Sequence, residues 1–227
     1  MDLSHVREQY ETAGLDEGEV DPDPILQFQR WYREAEAAEL WEPNAMVLSA
    51  VDDEGWPTSR YVLLKSVDHD GFTFYTNYGS AKAAALESAG RASLTFGWLP
   101  LRRQVRVRGA VERVAAAESD DYFAQRPRGS QLGAWASPQS QVVEGRGELD
   151  RRYDEVAARF GEAPVPRPEH WGGYRVVPSV IEFWQGRPDR FHDRLRFTRA
   201  ASAAGAGGES GPDRGGGKTW AVDRLAP

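Results

Sequence analysis

Three basic side chains at alternate positions are the clearest candidates for chemistry in this sequence. Arg190, His192 and Arg194 follow a Gly/Pro turn that comes after an apolar run ending at Trp184. On an extended backbone alternate side chains share one face, so two guanidiniums and an imidazole would point the same way. Because adjacent cations repel one another, this arrangement favours an anion or a charge-accepting ring opposite them. A solvated cationic edge strand that blocks aggregation is the alternative interpretation.

Further basic, amide and hydroxyl side chains lie near predicted turns. They are Arg60, Lys65, Lys82, Gln104, Arg126, Arg128, Ser130, Gln139 and Ser140. Since the chain has a net charge of -7, such local cations favour a phosphorylated ligand. The helix predicted after Ser80 would also accept a phosphate, because free amides and the helix dipole favour anions. Taken singly, each of these residues has a simpler interpretation as a solvated strand residue, a helix cap or a loop residue.

The composition excludes several classes of chemistry. The 227 residues include no cysteine, which excludes disulfides and thiol catalysis. The four histidines lack the paired spacing of a metal site, and no nucleophile-elbow or dinucleotide-binding pattern is present. The net charge of -7 argues against nonspecific nucleic-acid binding, and no apolar run reaches membrane-spanning length. Because no signal sequence is visible either, we expect a soluble cytoplasmic protein without nucleic-acid or membrane partners.

The elements that would position these residues are mostly short strands. Apolar runs over residues 45–51, 59–67 and 72–76 are separated by Asp- and Gly-containing turns, which predicts an antiparallel meander. Further strands are predicted over residues 92–98, 103–114, 174–177, 179–184, 194–199 and 219–225. Helices are predicted from Pro24 to Glu39 and over residues 80–89, 116–125, 131–136 and 149–160. This pattern predicts a mainly β, antiparallel fold with flanking helices, as in a barrel or sandwich.

Composition along the chain predicts its domain organisation. Residues 1–22 are polar, acidic and without periodicity, which predicts a flexible N-terminal arm. Residues 23–227 are predicted to form a single domain. Within it, residues 200–217 are rich in Gly, Ala and Ser, and no large apolar side chain offsets the entropy of ordering them. We therefore predict that residues 200–217 form a disordered loop without a phosphate-binding pattern.

Several longer segments are informative when they are taken together and in order. They are RYVLLK at 60–65, FYTN at 74–77, RQVRV at 103–107, RPRGSQLGAWASPQS at 126–140, WGGYR at 171–175, EFWQGRPDRFHDR at 182–194 and DRLAP at 223–227. Together they resemble the hallmark segments of the pyridoxamine/pyridoxine 5'-phosphate oxidase family, from about Arg7 to the C-terminus. The resemblance implies an FMN-binding split β-barrel that forms a homodimer with FMN at the subunit interface.

The resemblance also implies roles for individual residues. The cofactor-binding residues would be Arg60, Val62, Leu63, Leu64, Lys65, Tyr75, Thr76, Lys82, Gln104, Gln139, Ser140, Trp184 and Arg194. The substrate-binding residues would be Arg7, Tyr10, Lys65, Tyr122, Arg126, Ser130, Arg190 and His192. The catalytic residues would be Arg190, His192 and Arg194, and no metal is implied. In one departure from the family pattern Ala81 precedes Lys82 where an arginine is common, so one phosphate-binding cation is missing.

The implied reaction is the oxidation of pyridoxamine 5'-phosphate and pyridoxine 5'-phosphate to pyridoxal 5'-phosphate, with oxygen reduced to hydrogen peroxide. Two alternatives remain open. One is a sister oxidase of the same fold that acts on a phenazine precursor, against which the predicted phosphate-binding residues argue. The other is a non-catalytic carrier or sensor of flavin or pyridoxal phosphate, against which the presence of Arg190 and His192 argues.

Overall fold

The computed structural model of the protein describes residues 14–200 and 220–227. The predicted arm residues Arg7 and Tyr10, and the Gly-rich loop from residue 201 onward, lie outside the described residues. Among the helices of the described ranges, none has both the length and the apolar character needed to cross a membrane.

The described residues form a β-rich fold with flanking helices. The helices are α1 Pro24–Ala37, α2 Ala81–Ala89, α3 Ala116–Gln125, α4 Arg128–Ala136 and α5 Arg146–Phe160. The strands are β1 Ala45–Val51, β2 Pro57–Leu63, β3 Ser66–Val67, β4 Phe72–Asn77, β5 Arg91–Trp98, β6 Arg103–Arg113, β7 Trp171–Gln185, β8 Asp193–Arg199 and β9 Trp220–Arg224. The sheet order is β2-β1-β5-β6-β7-β4-β3, with β8 paired to β7 and β9 paired to β8. The predicted mainly β, antiparallel class is confirmed, since β3–β4, β4–β7, β7–β8 and β8–β9 all pair in antiparallel register.

Two predicted strand boundaries were wrong. The strand predicted over residues 59–67 is interrupted at Leu64 and Lys65, where the Leu64 side chain is buried and the Lys65 N–H donates to the Thr73 carbonyl over 2.9 Å. The two strands predicted on either side of Pro178 are one continuous strand, β7. Proline removes one donor but its fixed φ lies close to the extended region, so the neighbouring residues continue the strand.

The chain divides into two compact units, each assembled from separate segments. Of the described residues, the first unit comprises 14–46, 94–108, 178–200 and 220–227, and the second comprises 47–93 and 109–177. In the first unit, the fully buried Phe28 of α1 packs with its ring centroid 4.9 Å from that of Phe96 and 5.9 Å from that of Trp98. The single domain over residues 23–227 stays a prediction.

Helix α1 begins where its sequence predicts. The Asp23 side chain accepts a hydrogen bond of 2.8 Å from the Ile25 N–H, and Pro24 occupies the first helical position, where its missing N–H costs nothing. The buried residues Ile25, Phe28, Trp31 and Ala35 recur at helical spacing and form its apolar face.

Within the first unit, residues that were assigned to the predicted arm contact strands β8 and β9. The Leu15 N–H donates to Asp193 Oδ2 over 3.0 Å, and Arg224 donates both to Asp193 Oδ1, over 2.7 Å, and to the Leu15 carbonyl, over 3.0 Å. Arg224 also forms an ion pair with Glu17. These contacts fix residues 15–17 against the strand that carries Arg194.

The second unit contains α2 and the N-terminal part of β7. Ser80 caps α2, because its Oγ accepts from the Ala83 N–H and donates to the Asn77 carbonyl over 2.7 Å. Gly90 ends the helix in the left-handed region at a φ of 61°. Both ends of α2 are thus explained by local sequence.

Close packing in the second unit requires glycine at position 173 of β7. A Cβ atom added there would lie 2.6 Å from Val114 Cγ2 and 2.8 Å from Tyr75 Cε1. We expect Gly173→Ala to lower the free energy of unfolding by about 1–3 kcal/mol, because two packed side chains must move. Urea unfolding measures the change. Gly97→Ala is the matched control, since a Cβ on this strand glycine would meet nothing within 4 Å; equal midpoints for the two variants would contradict the prediction.

Candidate active site

A cavity of about 680 Å³ opens in the second unit, a size typical of small-molecule sites. It brings together residues from β2, β4, α2, α3 and α4 that are distant in sequence. Ten of the residues predicted for cofactor or substrate line it: Val62, Leu63, Lys65, Tyr75, Thr76, Lys82, Tyr122, Arg126, Ser130 and Gln139. The described structure therefore assembles most of the predicted site residues that belong to this unit.

Lys82 is the centre of a polar network at one part of the cavity. Its Nζ donates to Gln139 Oε1 over 2.8 Å, to Thr76 Oγ1 over 3.1 Å and to Ser80 Oγ over 3.3 Å. The Ser80 cap fixes the start of α2, which places Lys82 in the first turn of that helix. The three partners of the ammonium group are neutral oxygens, so none of them cancels its positive charge.

Arg60 adds a second positive charge near Lys82. Burial lowers the pKa of Lys82 below its ordinary value, and the charge of Arg60 lowers it further. Burial also lowers the pKa of Arg60. Both shifts show that the surroundings disfavour the positively charged forms of Arg60 and Lys82. An anion bound beside these two residues would stabilise their charged forms and would itself be attracted to them. Arg60 Nη1 donates to the Thr58 carbonyl over 3.3 Å.

Arg126 is a half-buried cation at another part of the cavity wall. Its Cζ lies 4.5 Å from the Trp171 ring centroid and 5.5 Å from that of Phe123. Burial lowers the pKa of its guanidinium, and its buried Nη1 makes no hydrogen bond to any residue that the structure describes. A buried donor without an acceptor is costly, so an anionic ligand that supplied the acceptor would be favoured.

Flat aromatic rings form a further wall of the cavity. Tyr75 stacks on Tyr122 with ring centroids 4.0 Å apart, and the Trp171 ring lies nearly parallel to both, at interplanar angles of 10° and 5°. Burial raises the pKa of Tyr75 to about 12, with a further contribution from the negative charge of Glu118. The Tyr75 hydroxyl is therefore protonated at neutral pH.

Three residues of this unit with a predicted cofactor or substrate role do not line the cavity. They are Arg60, Leu64 and Ser140. Leu64 is 6% exposed and packs into the core, whereas Ser140 is exposed with a φ of 71° in the left-handed region. Arg60 remains close enough to lower the pKa of Lys82.

Eight lining residues were not predicted. They are Tyr61, Asn77, Gln125, Pro127, Gly133, Ala134, Ser137 and Trp171. All of them except Gln125 belong to segments that carry the family resemblance, which is the only sequence signal that would have singled them out. Gln125 directly precedes the predicted residue Arg126.

The remaining described candidates belong to the first unit, where Arg194 has a buried partner. Arg194 Nε and Nη2 each lie 3.0 Å from Oε1 of Glu182, a carboxylate in a residue that is only 9% exposed. Its Nη1 donates to the Ala226 carbonyl over 2.9 Å, and Arg106 Nη1 lies 3.7 Å from Glu182 Oε2. Glu182 was not predicted as a functional residue, yet it holds Arg194 in one orientation.

His192 and Trp184 lie together in the same unit, with ring centroids 4.7 Å apart. The Arg187 N–H donates to His192 Nδ1 over 3.1 Å, so the neutral ring carries its proton on Nε2. Gln104 lies half-buried on β6, and Arg190 is exposed.

The prediction that Arg190, His192 and Arg194 share one face of an extended strand was wrong. Arg190 ends a short 3₁₀ turn, with a φ of 62°, and Asp189 before it has a φ of 55°. Strand β8 begins only at Asp193, so Arg194 alone of the three lies on it. A left-handed backbone at two consecutive non-glycine residues is not visible in a pattern of alternation.

Comparisons with known protein sequences agree with these features. Residues 33–160 match the family described as pyridoxamine 5'-phosphate oxidase, and residues 171–227 match the pyridoxine 5'-phosphate oxidase C-terminal dimerisation region. A pyridoxine/pyridoxamine 5'-phosphate oxidase from Burkholderia thailandensis is 52% identical over 226 residues, which is 99% of each chain. The corresponding protein from Burkholderia vietnamiensis is 50% identical over 225 residues, again 99% of each chain.

Solved structures of similar fold agree with these sequence matches. PhzG from Burkholderia lata, in complex with tetrahydrophenazine-1-carboxylic acid, superposes with a TM-score of 0.80 at 29% identity, covering 92% of this chain and 95% of that one. A pyridoxamine 5'-phosphate oxidase-related, FMN-binding protein from Nostoc punctiforme has a TM-score of 0.67 at 14% identity, covering 92% and 100%, and supports the fold alone. The predicted split-barrel fold class is confirmed. With family matches over residues 33–160 and 171–227 and relatives about half identical over nearly its full length, this chain belongs to the pyridoxamine 5'-phosphate oxidase family.

Proposed function

We propose that the protein is an FMN-dependent oxidase that converts pyridoxamine 5'-phosphate and pyridoxine 5'-phosphate to pyridoxal 5'-phosphate, with oxygen reduced to hydrogen peroxide. The observation that carries this proposal is the cavity that Arg126 lines together with Lys65, Tyr122 and Ser130. Two cations and two hydroxyls match the acceptor oxygens and negative charge of a phosphate monoester. The names of the relatives that are 52% identical support the same substrates.

The polar side chains that line the cavity, together with Arg60 and Ser140 outside its lining, fit FMN as the cofactor. Arg60, Lys82, Thr76, Gln139 and Ser140 would hold its phosphate and nearby groups, since the donor set combines two cations with hydroxyl and amide groups. The lowered pKa values of Arg60 and Lys82 support an anion at this place. When bound, FMN would supply the redox chemistry, accepting a hydride from the substrate's 4'-carbon and passing two electrons to oxygen.

The chain itself would bind and orient the substrate. Lys65, Tyr122, Arg126 and Ser130 would hold the substrate phosphate at a fixed position in the cavity. Fixing one end of a small substrate restricts its rotation, and such orientation can contribute several kcal/mol to lowering the barrier. The stacked Tyr75 and Tyr122 rings would present an apolar surface to the bound ligands.

Residues of the first unit would handle charge and protons. Arg194 would stabilise the negative charge that develops on the cofactor, because Glu182 and the Ala226 carbonyl hold its guanidinium in one orientation. Arg190 and His192 would contact the substrate ring, and His192 would exchange a proton with the reacting amine or alcohol at Nε2. The match to the family's dimerisation region over residues 171–227 supports a homodimer.

One observation favours a second candidate function. PhzG, which was solved with a tetrahydrophenazine carboxylic acid, superposes on this chain with a TM-score of 0.80. The alternative is therefore an oxidase of the same fold that acts on a phenazine precursor. That ligand carries a carboxylate and no phosphate. It would therefore offer fewer acceptor oxygens and less negative charge to Lys65 and to the hydroxyls of Tyr122 and Ser130 beside Arg126.

The purified protein tests both proposals. We expect a yellow protein with flavin absorbance that releases one hydrogen peroxide for each pyridoxal 5'-phosphate formed from pyridoxamine 5'-phosphate. A peroxidase-coupled assay measures the peroxide, and absorbance measures the aldehyde. Faster turnover of tetrahydrophenazine-1-carboxylic acid than of the phosphorylated amine would favour the second candidate. A yellow protein that oxidises neither compound would refute both in favour of a flavin-binding carrier.

A further inference from the structure

Arg126 lines the cavity without the carboxylate partners that hold two other arginines of the second unit. Arg175 pairs with Glu118 at 3.1 Å and Glu112 at 3.5 Å, and Arg113 pairs with Glu87. Among the described residues no carboxylate forms an ion pair with Arg126. Its positive charge is consequently not neutralised by any side chain within residues 14–200 and 220–227.

An aromatic face takes the place of a carboxylate. The guanidinium carbon lies 4.5 Å from the ring centroid of Trp171, within the range of a cation–π contact, and 5.5 Å from that of Phe123. Trp171 is 6% exposed and Phe123 is 1% exposed, so the contact is largely shielded from water. Desolvation strengthens a cation–π contact relative to an exposed one.

The indole of Trp171 is itself fixed. Phe123 packs edge-on against it at 5.1 Å and 69°, while the Tyr75 ring lies nearly parallel to it at 5.5 Å. The backbone N–H of Trp171 donates to the Pro168 carbonyl over 3.0 Å, and the backbone carbonyl of Trp171 accepts from Arg167 over 2.7 Å, which fixes the main chain that carries the ring. The ring therefore provides Arg126 with a rigid surface at the first residue of β7.

We infer that Trp171 is a positioning residue that presents Arg126 to an anionic ligand without neutralising it. A carboxylate in this place would fix the guanidinium but would compete with a phosphate for it and repel the phosphate directly. An aromatic face attracts the cation through its quadrupole and carries no net charge. This inference rests on the proposed role of Arg126 in holding the substrate phosphate.

Substitutions that keep or remove the aromatic face test the inference. We expect Trp171→Leu to raise the KM for pyridoxamine 5'-phosphate about tenfold, the size of a desolvated cation–π contact, and to leave kcat within about twofold. Trp171→Phe keeps an aromatic face and should restore most of the lost affinity. A fall in kcat without a rise in KM, or a Trp171→Phe variant as impaired as Trp171→Leu, would show a general packing role and overturn the inference.

A double-mutant cycle separates positioning from general packing. In an Arg126→Met background, Trp171→Leu should raise KM by less than twofold, because the residue through which it acts is absent. If the two substitutions instead raise KM independently, so that their effects multiply, Trp171 does not act through Arg126. Circular dichroism of each variant checks that the fold is kept, and any variant that unfolds is replaced by Trp171→Met.

Binding of inorganic phosphate tests the inference even if the proposed substrates are wrong. Isothermal titration calorimetry of the protein in excess FMN should give a phosphate Kd about tenfold weaker for Trp171→Leu than for the wild type. That result would support the positioning role whether or not pyridoxamine 5'-phosphate is oxidised. Equal Kd values, or no phosphate binding to the wild type, would overturn it. Loss of turnover with this phosphate effect intact would count against the proposed function alone.

Discussion

Arg126→Ala is expected to raise the KM for pyridoxamine 5'-phosphate by roughly 30- to 100-fold while kcat falls no more than a few-fold. The guanidinium lines the cavity and has no carboxylate partner among the described residues, so its charge is available to a phosphate. Charge-assisted hydrogen bonds contribute about 1.5–3 kcal/mol each, which is about 10- to 150-fold in affinity and so includes the expected range. Steady-state kinetics with the phosphorylated amine measures both constants.

Arg128→Ala is the matched control for this substitution. Arg128 lies two residues away on α4, is exposed, and donates to the carbonyls of Ala163 and Gly161 instead of lining the cavity. We expect its KM to stay close to that of the wild type. An unaltered KM in Arg126→Ala, or an equal rise in both variants, would remove Arg126 from the phosphate-binding group.

Arg194→Ala is expected to slow substrate-dependent reduction of the bound flavin by about 100-fold or more, the usual cost of removing a group that stabilises developing charge. The guanidinium is oriented in advance by Glu182 and by the Ala226 carbonyl, so it would need no rearrangement during the reaction. Single-turnover stopped-flow absorbance under anaerobic conditions measures the reduction rate. Substrate affinity should change much less than this rate.

Two further variants test whether Arg194→Ala acts through the lost positive charge. Arg194→Lys keeps a positive charge beside the buried Glu182 and should recover part of the rate, which distinguishes lost charge from a destabilised core. Arg196→Ala is the control on the same strand, since Arg196 pairs with the exposed Asp223 at 2.8 Å. A reduction rate in Arg194→Ala that equals the Arg196→Ala rate would refute the proposed role of Arg194.

Local sequence determined the elements that were predicted well. Ser80 and Asp23 each satisfy free amide groups at a helix start, and both helices begin at the following residue. Strand β1 has the predicted bounds, and buried Val105 and Val107 alternate with exposed Arg106 and Arg108 on β6 as predicted. These features depend on neighbours within a few residues, which a single sequence displays directly.

Features that depend on distant contacts were not predictable in the same way. The left-handed conformation of Arg190 is not a preference of arginine, so the surrounding fold must impose it. The pairing of Glu182 with Arg194 arises because β7 and β8 pair in antiparallel register, with Trp184 opposite Arg194. Trp171 was recognisable only as part of a segment that carries the family resemblance, and its contact with Arg126 required the folded second unit.

The segmented composition of the two units has a consequence for the order in which the protein can fold during synthesis. The second unit has all of its residues once the ribosome has passed position 177, whereas the first still lacks residues 178–227. Trp31 of α1 therefore lacks its edge-to-face partner Phe183 until most of the chain has been synthesised. Phe28 can pack on Phe96 and Trp98 earlier, so the apolar face of α1 is completed in two stages, the second of which needs the last strands of the sheet.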